Sequence, residues 1–389
     1  MINELKASGA VEDIMRSFDI NEVAFDENGV IDFYWPLDNK KSEDVMNSLT
    51  DALIPYITNN EKKFSELITV RLLFKWFICE TLRLFEATVL AEECKKDGVI
   101  PIIPKHYKKL EAIFYSKPLE CVFFLNQSKG PTYGKNIPRF IKRFLKELFW
   151  NGLNVGIFKK YGSNKEDILT IGPSNLTIKH ARGRKKLLRF SDFGEWFGPI
   201  SKEYLLKEPK NLIAIKELLR IVRASFREAG YEITTESVDY LSTWLSHANN
   251  FVNYYLHQNQ SNKLLDKIKS QVWFGSGGSS IWHVILIEKL RKKNIRVVTH
   301  DHGSGNSHHP QKPVHWVEFM HTDHFVTFNN INEIKRNEQF RKDLIFGKEP
   351  PLIQSLDNVL GSKNTEKSSK LIKIHKKIKK IMYVGTAFH

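Results

Sequence analysis

The hydrophobic positions of the chain change rhythm several times, and each change marks an element. Val30-Ile31-Asp32-Phe33-Tyr34 reads as a strand. Ser42–Ile54 reads as a helix expected to end before Pro55, because the residue ahead of a proline is pushed out of the α region. Residues 64–97 form one long helical pattern rich in Leu, Phe and Ala. It is expected to stop at Lys95-Lys96-Asp97-Gly98, with basic residues in the last turn and glycine just beyond. Val99–Ile103 reads as a short strand and Cys121–Leu125 as a buried strand. Residues 137–150 predict a helix, and residues 151–200 form the least regular part, punctuated by Gly, Asn and Ser. Two further helical patterns cover 208–229 and 235–258.

From residue 271 the pattern is sharpest. Residues 271–275 form a strand, Ser276–Ser280 a turn, and Ile281–Lys293 a helix with the apolar stripe Ile281, Val284, Ile285, Ile287 and Leu290. Ile295–Thr299 is the next strand. This βαβ unit has short connections, which imply parallel strands and a right-handed crossover. A histidine-rich loop (300–315), a strand at 324–328 and a helix from Ile331 to Arg341 follow. No repeat of 20–50 residues is present. Residues 361–380 read as a lysine-rich linker. Ile381–His389 is an apolar run ending in a Gly385-Thr386 turn, like the first strand of another α/β domain. The expected class is α/β with a large helical portion. The expected organisation is a domain over 1–362 with its parallel core at 271–345, a linker over 363–380, and at 381–389 the opening strand of a domain cut short.

Composition narrows the class. With 41% hydrophobic and 26% charged residues in 389, the chain is neither disordered, collagen-like nor a coiled coil. The apolar region Leu72–Leu90 is broken by Lys75, Glu80, Arg83 and Glu86, so a membrane span is not expected. Met1–Asn21 lacks a cationic stretch ahead of an apolar one, which argues against secretion and for the cytoplasm. Cys79, Cys94 and Cys121 are too few and scattered for a disulfide framework or zinc site and read as buried thiols. The net charge of +15 is concentrated: residues 363–380 hold eight lysines and one glutamate. Arg182–Arg189 and Arg139–Lys146 form two more basic clusters. Such clusters suit nucleic acid, an anionic membrane face or phosphorylated substrates.

Two loops carry candidate chemistry. Gly275-Ser276-Gly277-Gly278-Ser279 joins a strand to a helix, where glycines permit a tight turn and free N–H groups favour an anion. No Gly-Lys-Ser/Thr follows, and the third glycine of the dinucleotide fingerprint is missing. A plain strand-to-helix turn is the alternative. The second loop is His300-Asp301-His302-Gly303-Ser304-Gly305-Asn306-Ser307-His308-His309. Seven of the fourteen histidines fall between 300 and 324. Both loops should open onto the carboxyl ends of neighbouring strands, where open parallel sheets bind ligands. Asp301 and His302 offer a proton acceptor beside an orienting partner. His300, His302, His308 and His309 with Asp301 could instead hold a metal, but they match no fixed ligand spacing, so no metal is expected.

Elsewhere, helix 137–150 sets Phe140, Ile141, Phe144, Leu145 and Leu148 to one side and Arg139, Lys142, Arg143 and Lys146 around the rest. That suits an anionic membrane face, or an ordinary core-facing helix. The lysine run lacks interleaved arginines and aromatics, and no helix-turn-helix or RNA-binding signature is present, so no nucleic-acid partner is expected.

Val272-Trp273-Phe274-Gly275-Ser276-Gly277-Gly278, Val297-Val298-Thr299-His300-Asp301-His302-Gly303 and Thr322-Asp323-His324-Phe325-Val326-Thr327-Phe328 carry a resemblance. The chain resembles glycosyltransferases of bacterial surface-polysaccharide clusters (O-antigen and capsule), in the Kdo- and sialyltransferase-like group with GT-B architecture. The resemblance covers about 270–345, and the linker and final strand more loosely. It implies a Rossmann-like, acceptor-side N-terminal half and a nucleotide-sugar domain beyond it. It also implies transfer of a sugar, such as a nonulosonic acid or Kdo-like sugar from a CMP donor, to a lipid-linked glycan at the cytoplasmic face of the inner membrane, without a cofactor. Here the loop reads His-Asp-His-Gly-Ser-Gly where Gln-His-Gly-Gly is usual. Set against the acidic-acidic-Gly element of the sialyltransferases, Asp301 takes the place of the base while His302 replaces the second acid, so either can be the base. Gly275, Ser276, Gly277, Gly278, Ser279, His300, Gly303, Ser304, His308 and His309 are the expected substrate contacts. A teichoic-acid-type polyol-phosphate transferase, a basic nucleic-acid-binding protein and a metal hydrolase using the histidine loop are the rival readings.

Overall fold

In a computed structural model, the described residues are 39–98, 100, 103, 107–127, 168–171, 187–190, 200–207, 213–258, 271–274, 280–300, 316, 319–327 and 352–355. The chain divides into two compact units, one of Met1–Tyr133 with Phe197–Ser261, the other of Gly134–Trp196 with Asn262–His389. The mixture of helices with a parallel sheet makes the chain α/β. The expected strand 30–34, helices 137–150 and 331–341, linker 363–380 and segment 381–389 lie outside the described residues.

The first unit is helical. Helix α1 (Asn39–Asn60) carries Pro55 inside it rather than ending before it. Proline lacks the N–H for one helical bond. However, Leu53, Ile54 and Ile57 on either side are buried, and their packing keeps the chain helical. The single helix expected over 64–97 is two, α2 (Ser65–Leu72) and α3 (Phe74–Lys96), broken at Leu73. Arg71, Leu72, Leu73 and Phe74 are all buried in succession, more than one stripe of a straight helix can present to one neighbour. The expected stop of α3 is found: Asp97 caps it and Gly98 follows at φ +66°, a conformation that favours glycine.

Ile100 and Ile103 lie in no strand, and Ile100 is exposed. The run Cys121–Leu125 is not a strand either. After α4 (Lys108–Phe114), residues Phe123–Gln127 form the short helix α5. Among the described residues this unit has no strand to pair with, and Phe124 is buried against Trp244 and Phe251 instead. Short α6 (Lys202–Leu205), α7 (Ile213–Glu228) and α8 (Thr235–Asn253) follow in the same unit. A π-helical turn at Tyr254–Gln258 prolongs α8.

Helix α7 buries Ala214, Ile215, Leu218, Leu219, Val222 and Phe226, an apolar face at helical spacing. It ends where Gly230, at φ +86°, lets Gly230 N donate to Arg227 O and Tyr231 N to Phe226 O. Thr234 then starts α8, its hydroxyl accepting from Ser237 N at 3.2 Å. Helix α8 packs against α2 through α7 and supplies the centre of the core, with Trp244 fully buried among Phe77, Phe123 and Phe124.

Among the described residues, the second unit holds a six-stranded sheet whose paired strands are all parallel. Its strands are β1 (Ile168–Ile171), β2 (Leu187–Phe190), β3 (Gln271–Phe274), β4 (Arg296–His300), β5 (His324–Thr327) and β6 (Leu352–Ser355), in the order β2-β1-β3-β4-β5-β6. The βαβ unit lies as the sequence predicts: helix α9 (Ile281–Arg291) joins β3 to its parallel neighbour β4. Asn294, at φ +57°, ends α9 and turns the chain into β4. Strands β1 and β2 lie within the stretch read as irregular, and β6 was not expected at all. In β4, Val297 to His300 are all buried, and in β5, Phe325 to Thr327. Both faces of these strands are therefore covered, as is usual for parallel sheets. Phe319 stacks edge-on against Phe325 with ring centres 4.7 Å apart.

Candidate functional site

Strand order locates the point at which the sheet reverses direction. The chain runs from β1 outward to β2, returns to the other side of β1 as β3, and continues through β4, β5 and β6. In open parallel sheets such a reversal leaves a crevice outside the carboxyl ends of the two strands concerned. Here these are β1 and β3, which end together because Ile171 pairs with Phe274. Phe274 pairs in turn with Thr299, so β4 ends at the same edge, one residue further on at His300.

The expected site residues follow directly from these ends. Gly275, Ser276, Gly277, Gly278 and Ser279 continue the chain from Phe274. Asp301, His302, Gly303 and Ser304 continue it from His300, with His308 and His309 beyond. All eleven lie outside the described residues. His300 is described: it is the last residue of β4 and is buried. It shares a register row with Val326 of β5 and Gln354 of β6.

Ser280 closes the glycine-rich connection and has a structural task. Its hydroxyl accepts from His283 N at 3.3 Å and caps α9, whose free N–H groups thus begin on the carboxyl side of the sheet. Among the described residues, no three His, Cys, Asp or Glu side chains stand close enough to hold a metal ion.

At the opposite, amino edge the structure assembles a polar centre that the sequence did not single out as one. Asp323 Oδ1 accepts from Arg291 Nη2 at 2.9 Å and Nε at 3.2 Å, and Oδ2 accepts from Val297 N at 2.8 Å. Its backbone N–H donates to Val297 O at 3.0 Å, and its carbonyl accepts from Leu352 N at 2.9 Å. Beside it, Thr299 Oγ1 donates to Thr322 Oγ1 at 3.0 Å, and Thr322 Oγ1 to His324 O at 2.8 Å. Burial and the positive charge of Arg296 lower the pKa of the His324 imidazole, with Asp323 opposing. Burial, helped by Lys292 and Lys293, pulls Lys289 of α9 down to about 8.

The helical unit holds a second such centre. Glu80 Oε2 accepts from Tyr240 OH at 2.7 Å and from Lys109 Nζ at 2.9 Å, and Oε1 from Arg83 Nη1 at 2.9 Å. Burial pushes the Glu80 carboxyl up. Lys109, the hydrogen bonds from Tyr240 and Lys109, and Arg83 outweigh it and leave the pKa below the usual carboxylate value. Burial raises the neighbouring Cys121 thiol to about 12, an inert rather than a nucleophilic thiol. Cys94 is buried too, whereas Cys79, expected to be buried, is exposed; all three are free.

Among the described residues, no helix is long and apolar enough to cross a membrane. No family model, no curated protein and no solved structure matches the chain.

Proposed function

We propose that this chain is the acceptor-side part of a GT-B-like glycosyltransferase of cell-surface polysaccharide synthesis, moving a sugar from a nucleotide donor to a lipid-linked glycan. The observation that carries the reading is the shared carboxyl edge of β1, β3 and β4 at the point where strand order reverses. The glycine-rich connection leaves β3 there and the Asp301-His302 segment leaves β4, one strand apart.

In the proposed reaction the acceptor hydroxyl attacks the anomeric carbon, the new C–O bond forms, and the bond to the nucleotide phosphate breaks with its electron pair leaving on the phosphate. The hydroxyl proton passes to the Asp301 carboxylate or the His302 imidazole. Charge developing on the phosphate needs N–H groups or cations, and the capped start of α9 supports such a role for the glycine-rich side.

The test is nucleotide release from CMP-, UDP- and GDP-sugars by the full-length enzyme in the presence of membrane-extracted lipid-linked glycan. Asp301→Asn is expected to keep the fold and lower turnover by about 10²–10⁴, the usual range for a lost general base. His302→Ala examines the other candidate. Loss below about tenfold in both variants would show that the loop is not the catalytic centre.

A further inference from the structure

We infer that Trp244 and His247 form one buried binding site for a single water molecule, on the flank of α8 that the aromatic core covers. The inference is independent of the transferase reading and concerns the helical unit alone.

The spacing along α8 brings the two side chains together. Tyr240, Trp244, His247 and Phe251 recur at intervals of four, three and four, so they share one flank of the helix. Residues three apart on a helix have Cβ atoms about 5–6 Å from one another. That separation suits one water, which reaches about 2.9 Å to each of two partners. The flank is packed: Trp244 is fully buried and His247 is 8% exposed. Aromatic rings close on it. Phe77 lies 5.9 Å and Phe124 5.2 Å from Trp244, and Phe124 lies 5.3 Å from Phe251, centre to centre.

Two polar atoms stand within this apolar wall, Trp244 Nε1 and His247 Nδ1, and neither has a hydrogen-bond partner among the described residues. Tyr240 on the same flank shows the contrast, since its hydroxyl donates to Glu80 Oε2 at 2.7 Å. A buried polar atom left alone costs the whole of its desolvation, and internal waters ordinarily bridge such atoms. The indole N–H only donates, so the guest must offer a lone pair. The imidazole Nδ1 accepts or donates according to tautomer, and water, which does both, serves either form. An ion does not fit. Burial alone lowers the pKa of His247, with no neighbouring charge acting on it, so at neutral pH the imidazole is uncharged and balances no anion. Glu80 is occupied by Tyr240, Lys109 and Arg83, which leaves no carboxylate there for a cation.

The test uses the full chain in solution. By nuclear magnetic resonance, the Trp244 indole N–H should show a dipolar cross-peak to water while exchanging far more slowly than an exposed indole. A slowly exchanging indole with no water cross-peak overturns the inference. A double-mutant cycle then asks whether the two side chains share the guest. Trp244→Phe and His247→Leu each remove one partner, and the double variant is expected to unfold about tenfold less readily than the product of the two single effects, read by urea and circular dichroism. Single effects that simply multiply would show two unconnected atoms and also overturn it. Where Trp244→Phe does not fold, His247→Leu carries the comparison. It should abolish or displace the water cross-peak at Trp244, and an unaltered cross-peak sinks the shared site.

Discussion

Each of the two units contains a carboxylate that gathers three donor groups, and the two do it differently. Glu80 is almost wholly buried, with 6% of its side chain exposed, and its donors are side chains from α3, α4 and α8. Asp323 is 36% exposed, and one of its donors is a backbone N–H. A buried carboxylate surrounded by side chains fixes how helices pack, because each helix is already internally hydrogen-bonded and needs only lateral placement. A carboxylate bound to a strand N–H fixes register, which short strands of four or five residues specify poorly by themselves. The helical unit thus places its charge where it secures a core. The sheet unit places its charge at the amino edge, away from the edge that open parallel sheets use for ligands.

The comparison is broken most strongly at Glu80. Glu80→Ala leaves Lys109 and Tyr240 without their shared acceptor, and the expected loss is about 3–5 kcal/mol, as for breaking a buried pair from one side. Urea unfolding followed by tryptophan fluorescence reads it, since Trp244 lies in the same unit. The pH dependence has a definite sign. The Glu80 pKa is lowered in the folded state, so its contribution is complete above the unfolded carboxylate value and is lost as pH falls through the lower, folded one. Stability should therefore decline as the solution becomes acidic, and Glu80→Gln should flatten that limb. Burial lowers the pKa of His247 as well, so a shallower decline should begin as pH falls through the unfolded histidine value and persist in Glu80→Gln.

Asp323→Ala is expected to cost less, about 1.5–3 kcal/mol, the range for hydrogen bonds to a charged group, because water reaches the site. A loss as large as that of Glu80→Ala would erase the distinction drawn between the two centres. The smallest expected effects come from the helix starts. Thr234→Ala and Ser280→Ala each remove a hydroxyl cap and should cost about 1 kcal/mol. If Ser280→Ala left stability unchanged, Ser280 would serve the glycine-rich connection rather than the helix.

Where a stretch of chain satisfies itself locally, the sequence determined the outcome. The end of α3 at Gly98, the two helices that meet around Gly230, and the β3-α9-β4 unit follow from apolar spacing, caps and residues tolerant of positive φ, all within a few residues of one another. The connections that follow β3 and β4 stand out in the sequence by their glycines and histidines, but they lie outside the described residues. Tertiary structure decided whatever depended on a distant partner. Pro55 stays inside α1 because buried neighbours outweigh one missing bond, and Phe123 and Phe124 turn helical because Trp244 and Phe251 offer rings and no strand edge. The short runs Ile168–Ile171, Leu187–Phe190 and Leu352–Ser355 become strands only because a sheet edge completes their hydrogen bonds. Asp323, which the sequence marks only as part of a strand motif, gains its partners only when folding brings Arg291, Val297 and Leu352 to it. A carboxylate's partners are set by distance in space, which spacing along the chain does not encode.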